Sequence, residues 1–247
     1  MNPKRGYVPD DDRNFSASAL ELLRTASRHV EYLINEGYDL KQASTFVGNH
    51  FLLSDRQRLA IMRSLATKEQ LKNRRMKEKQ ISELAGSEVW IDGFNIIITL
   101  EILACDSLLF SCMDGTVRDL ASLRGTYRII PETETAVQML FDALEAAEIR
   151  SATILLDQPV SNSGRLKALA AGIGSQYPFD LDIQIIRDVD RNLYGKENVI
   201  SSDSIILDRC SSWFNLVGTV MEKHGKTGIC VWQSPDLTAA YLTCGKN

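Results

Sequence analysis

At 247 residues, 44% hydrophobic and 24% charged, the chain has the composition of a soluble globular protein that can bury a core. No stretch of 18 continuous apolar residues is present to span a membrane, and Met1-Asn2-Pro3-Lys4-Arg5-Gly6 lacks the apolar run of a signal peptide. Five scattered cysteines without a CxxC exclude a disulfide framework or structural zinc site and point to a reducing cytoplasm, and a net charge of −4 argues against a uniformly basic nucleic-acid binder.

Residues 1 to 13 read as a polar lead-in. From Ser16 to Asn35, Leu20, Leu23, Ala26, Val30, Leu33 and Ile34 recur at helical spacing, and Gly37 follows as a stop. A second helix is expected from Asp39, with Ala43, Phe46 and Val47 facing inward. A third starts at Ser54, which forms a capping box with Gln57. A fourth helical stretch runs from Thr67 to about Leu84. Residues 54–79 carry nine basic and three acidic side chains, a surplus of six positive charges that leaves the remainder at −10. A basic module beside an acidic one fits a protein that grips a polyanion, with Lys72, Arg74 and Arg75 as phosphate contacts. The plainer alternative is a solvated helix face. A third reading packs this stretch against the acidic part of its own chain or of a sister chain in a homodimer.

Ala85-Gly86-Ser87 divides an all-α basic domain, 1–85, from an α/β domain, 86–247, in which strands and helices alternate. Val89-Trp90-Ile91 is a buried strand ending in Asp92-Gly93, with Asn95 three residues on and a helix to follow. Strands at 106–112 and 126–130 suggest a hairpin insertion near 106–130, whose loop carries Arg118 and Arg124. Pro131 opens a helix. Ala152–Leu156 is a strand ending in Asp157, before a small-residue loop and a helix beginning with Arg165 and Lys167. Leu181–Ile186 is a strand running toward Asp188 and Asp190. Val199–Ser202 runs into Asp203, and the helix after it places Asp208 about 140° round from Asp203. Phe214–Val217 and Gly228–Trp232 are the last expected strands. The fold class is α/β, a mostly parallel, Rossmann-like sheet flanked by helices.

Three strands thus end in aspartate. In a parallel sheet the carboxyl ends share one edge, so Asp92, Asp157 and Asp203 can meet there with Asp208. Each alone could instead cap a helix. Crowded carboxylates repel, and a hard divalent cation, Mg²⁺ or Mn²⁺, relieves that repulsion and can activate water for phosphodiester cleavage.

Val89-Trp90-Ile91-Asp92-Gly93-Phe94-Asn95 resembles the opening motif of the PIN and NYN-type ribonuclease superfamily, and Val199-Ile200-Ser201-Ser202-Asp203 its later strand with Ser/Thr-x-Asp. The chain also resembles a prokaryotic family that joins a short helical domain to a PIN-like one. The resemblance covers roughly residues 87–217. It implies a PIN-like domain and metal-dependent RNA cleavage, with Asp92 and Asp203 as ligands, Asn95 orienting water or ligand, and Asp157 as a mid-chain acid. Typical PIN domains add an acid on a helix after the first strand, for which Glu101 and Glu134 are the candidates here.

Other signatures are weaker. Gly225-Lys226-Thr227 lacks the upstream glycine of a P-loop, and neither GxGxxG nor GxSxG occurs. Phe94 stands where an aspartyl phosphatase wants its second acid. His29, His50 and His224 are scattered and suit structural roles. Two functions are therefore expected. One is a cytoplasmic Mg²⁺- or Mn²⁺-dependent ribonuclease, with Asp92, Asn95, Asp157, Asp203 and Asp208 at its centre and Arg118, Arg124 and Arg165 near the RNA. The other is a catalytically inactive RNA-binding or protein-interaction adaptor on the same fold.

Overall fold

The computed structural model describes residues 4–121 and 125–233. In chain order, α1 (Asp11–Asn14), α2 (Ala17–Asn35), α3 (Leu40–His50), α4 (Asp55–Ser64) and α5 (Lys68–Lys77) lead to β1 (Glu78–Lys79). Then come β2 (Glu88–Asp92), α6 (Gly93–Ala104), β3 (Phe110–Ser111), β4 (Val117–Arg118), α7 (Glu132–Ala146), β5 (Ser151–Asp157) and α8 (Ser163–Gly174). The described chain closes with β6 (Asp180–Ile186), α9 (Val189–Leu193), β7 (Val199–Ile200), α10 (Ser204–Arg209), β8 (Trp213–Phe214) and α11 (Leu216–Lys223).

The strands that end in acids form the middle of a six-stranded sheet of order β1-β8-β7-β2-β5-β6, parallel throughout. The α/β class expected from the alternating pattern is what the chain adopts. Period-2 alternation assigns each helix to a face. On β5, Ile154 and Leu156 join the larger core with α6, α7, α8 and α11. Leu155 points the other way, into a smaller cluster with Val189, Leu193, Ile206 and Leu207 of α9 and α10. A separate core fills the helical segment, and Phe110, Met113 and Leu120 of the hairpin region enter it.

The caps of the helical segment follow the sequence. The Ser16 and Asp39 side chains accept from Ala19 and Gln42 amides, and Ser54 with Gln57 forms its capping box. Residues 10–15 are more ordered than a lead-in, because Asp11 in α1 is buried and paired with Arg56 at 2.8 Å.

Five elements differ from expectation. The fourth helix stops at Lys77, since Glu78 and Lys79 pair with Trp213 and Phe214 in the sheet. The hairpin is short, Phe110 facing Arg118 and Ser111 facing Val117. Thr126–Ile130 is not a strand. The Tyr127 N–H instead donates to the Ser161 hydroxyl at 2.9 Å, and its carbonyl accepts from Asn162 Nδ2 at 2.7 Å, so side chains satisfy that backbone. Val217 lies in α11, which Asn215 caps, and of Gly228–Trp232 only Ile229 makes a β-bridge, to Phe110. Among the described residues, no helix is long and apolar enough to cross a membrane.

Gly93 is required by closeness rather than by a special dihedral. A Cβ there would stand 2.6 Å from Leu156 Cδ2 and 2.8 Å from the Leu155 carbonyl oxygen. Gly93→Ala is expected to cost about 1–3 kcal/mol through overpacking, read as a lower urea midpoint at unchanged m-value. A neutral result would mean that β5 yields freely.

Candidate functional site

β2 is the strand at which the order of connections reverses: β5 and β6 lie on one side of it, β7 and β8 on the other. The carboxyl edge beside such a reversal is the usual ligand crevice of open α/β sheets. Ile91 pairs with Ile200 across the β2–β7 ladder, which sets Asp92 alongside Ser201. The Ser201 hydroxyl donates to Asp92 Oδ2 at 2.9 Å and accepts from the Asp203 N–H at 3.0 Å.

Asp92 precedes α6, yet its side chain makes no capping hydrogen bond, so the plainer reading of this residue does not hold. It is 7% exposed. Burial, with Asp203, Asp190 and Asp157 adding repulsion, pushes its carboxyl up to about 7 despite the Ser201 hydrogen bond. Burial, with Asp188, also raises Asp157, against a hydrogen bond from the Val189 amide. Asp190 is raised by burial and by Asp203, Asp157 and Asp188. Asp203 itself caps α10, accepting from the Ile205 and Ile206 amides at 2.8 and 3.4 Å. For that residue the capping role is real.

Asn95 has an assigned orientation. Its Oδ1 accepts from the Ser202 N–H at 2.8 Å and the Ser202 hydroxyl at 2.9 Å, and of the two ends of a carboxamide only the oxygen can accept from a backbone amide. The Nδ2 amine is thereby left as the donor end, one helical turn from Asp92.

The structure places Asp203, Asp190 and Asp157 within electrostatic reach of Asp92; Asp190, which the sequence sets just past the strand at 181–186, stands in the five-residue α9. It does not bring Asp208 there. Asp208 projects from α10 to Arg74 and accepts from Nε and Nη2 at 2.7 and 2.9 Å. Glu101 is fully buried far along α6, ion-paired with Arg5 and bonded by Tyr127 and Thr133, and Glu134 is exposed on α7. Neither supplies the extra acid.

Among the described residues, no group of three or more Asp, Glu, His or Cys side chains is placed to hold a metal ion. The donor chemistry, carboxylate oxygens alone, suits Mg²⁺ or Mn²⁺. The placement is one of acids acting on Asp92 through space rather than a closed ligand shell.

The basic residues divide. Arg74 and Arg118 are 2% and 7% exposed and paired with Asp114, so neither is presented to a polyanion. Arg56 pairs with Asp11, and Lys77 Nζ donates to the Leu207 and Cys210 carbonyls. Much of the basic stretch therefore packs against its own chain, as the third reading of the sequence has it. Lys72, Arg75 and Arg165 are exposed, and Arg124 lies outside the described residues.

Residues 22–77 match the family described as Protein of unknown function (DUF434). The chain is 32% identical over 185 residues to the Uncharacterized protein MJ0935 of Methanocaldococcus jannaschii, a match covering 75% of this chain and 88% of that relative. No solved structure matches the chain at a significant level. Residues 81–219, more than half of the chain and including every acid of the site, match the family described as Domain of unknown function (DUF5616), and the chain belongs to that family.

Proposed function

We propose that the chain is a Mg²⁺- or Mn²⁺-dependent ribonuclease whose substrate phosphodiester lies over the carboxyl edge of β2, β5 and β7. One observation carries the reading: Asp92 lacks a capping amide at that edge, and burial above all, with repulsion from Asp203, Asp190 and Asp157 added, pushes its carboxyl up to about 7. Such a carboxylate is costly to keep ionised unless a cation shares it. A divalent ion supplies water acidified for attack and positive charge against the developing phosphorane. Mg²⁺ keeps several waters and takes one or two carboxylates directly, so Asp92 would hold it with Asp157, Asp190 and Asp203 acting through water. The Asn95 amine would donate to a phosphate oxygen or to that water. Arg165, Lys72 and Arg75 lie on the surface, and each contact from them to an RNA phosphate would make binding salt-sensitive.

The adaptor reading is favoured by two observations, the absence of a ready ligand set among the described residues and the engagement of Asp203 with its own helix. Thermal melts separate the two. A working site gains about 2.7 kcal/mol at a hundredfold excess of metal over its dissociation constant. For a chain of this length that is a rise of about 5–10 °C. Mn²⁺ at millimolar concentration is expected to give such a rise and to promote cleavage of a mixed RNA pool. No rise and no cleavage would leave the adaptor.

A further inference from the structure

Arg118 of β4 is buried between its own hairpin and two segments distant in sequence. Its Nε donates to the Ser202 carbonyl at 2.6 Å, Nη1 to the Arg63 carbonyl at 2.6 Å and Nη2 to Asp114 Oδ2 at 2.5 Å. Asp114 also accepts from Arg74 Nη1 at 2.6 Å and, on its other oxygen, from the Thr116 hydroxyl at 2.6 Å. Arg74 reaches on to Asp208 and the Ser204 carbonyl. Ser202, whose carbonyl meets Arg118, gives its own N–H to Asn95 from the preceding peptide group. The loop 201–203 is thus gripped from both sides, by β4 and by the first turn of α6.

A cluster needed only for charge balance would close on carboxylates. Arg118 instead directs two of its donors at neutral carbonyls, one at the end of α4 and one in the loop that carries Ser201 and Asp203. A guanidinium stays charged at every working pH and presents donors in a fixed planar fork, so this strut is rigid and does not titrate.

We propose that Arg118 is a positioning residue: it holds the Ser202 carbonyl and thereby sets Ser201 and Asn95 against Asp92, so that the geometry of the acidic edge depends on the docked hairpin and helical segment. Its consequence for chemistry rests on the ribonuclease reading, while the positioning itself does not.

Amide hydrogen exchange on the full chain tests this. Arg118→Lys keeps the charge but cannot reach all three acceptors. Exchange of the Ser202 amide is expected to quicken about tenfold to hundredfold, the loss of one charge-assisted hydrogen bond. The amides of Ile154 in β5 and Ile183 in the edge strand β6 should not change. Thr116→Val, which loosens only Asp114, should give a smaller change of the same pattern, and it decides the matter if Arg118→Lys does not fold. Unchanged protection at Ser202, or equal acceleration in β5 and β6, overturns the proposal. With Mn²⁺, the midpoint of the thermal response should rise about tenfold in Arg118→Lys. On an RNA pool kcat should fall and KM should not, because Arg118 does not touch substrate. A wild type silent to Mn²⁺ counts against the metal site, and the exchange data still decide the role of Arg118.

Discussion

At pH 8 and without divalent metal, Asp92→Asn is expected to be more stable than wild type, by about 2–4 kcal/mol. The Asp92 carboxyl sits at about 7 in the folded chain against an ordinary 3.8, so the folded state binds that proton more tightly than the unfolded state. Stability from this group is complete below about pH 4 and is lost as pH rises through about 7. That gap is worth at most about 4 kcal/mol, at about 1.4 kcal/mol per tenfold in proton affinity. Asparagine has nothing to ionise and keeps the Ser201 hydrogen bond, so the two proteins should converge near pH 4 and separate above it. Urea midpoints from pH 4 to 9 check the sign. Asp157 and Asp190 are raised as well, and the wild-type decline should be broad. The same substitution should lower Mn²⁺-dependent cleavage at least about a hundredfold, because the ion would lose the buried carboxylate it is held by. A variant more stable and less active together would mark an acid kept for a cation. A variant less stable at pH 8 would refute the crowding, and full activity would refute the nuclease.

The second large effect lies away from that edge. Arg74→Met should cost about 3–5 kcal/mol, the loss seen when one partner of a buried ion pair is removed. Arg74 is 2% exposed between Asp114 and Asp208, and although burial opposes its charge, these two acids raise its affinity for the proton. Burial likewise opposes ionisation of Asp114, yet Arg118 and Arg74 hold its carboxyl below the usual range. Without Arg74, Asp114 keeps Arg118 as its one paired cation, and Asp208 loses the guanidinium that ties α10 to α5. Lys72→Ala, two residues earlier on the opposite, exposed side of α5, should change stability by less than about 0.5 kcal/mol. Chemical denaturation of both variants is the check. A loss below 1 kcal/mol for Arg74→Met would show that the helical segment is held by its apolar contacts alone.

These two residues also show what one dimension discloses. Asp92 is legible because an apolar strand ends on it and a parallel sheet gathers such ends. The caps at Ser16, Asp39 and Ser54 are legible because capping is local chemistry. Arg74 and Arg118 are not, since charge density does not reveal burial. Their acidic partner in common is Asp114, 40 residues from Arg74, and Asp208 lies 134 residues from it. The helical angle between Asp203 and Asp208 does put them on different faces, but that α5 covers one face is a fact of tertiary packing. A strand of two residues such as β1 carries too short a pattern to separate from a loop, whereas β7 is legible because Val199–Ile200 runs into Asp203. Thr126–Ile130 looked like a strand because Tyr127 and Ile129 alternate, and the side chains that claim its backbone come from residues 161 and 162.

The pairing of Glu78–Lys79 with Trp213–Phe214 has a consequence for how the molecule is born. At about 5–20 residues per second, a ribosome needs on the order of ten seconds to pass from one strand to its neighbour. Throughout that interval Arg74 has no Asp208 to meet, and Asp92 has no Ser201. A nascent or truncated chain that ends before about residue 200 therefore carries its acidic edge unbuilt, so any catalytic power waits for the segment that holds Ser201, Asp203 and Asp208.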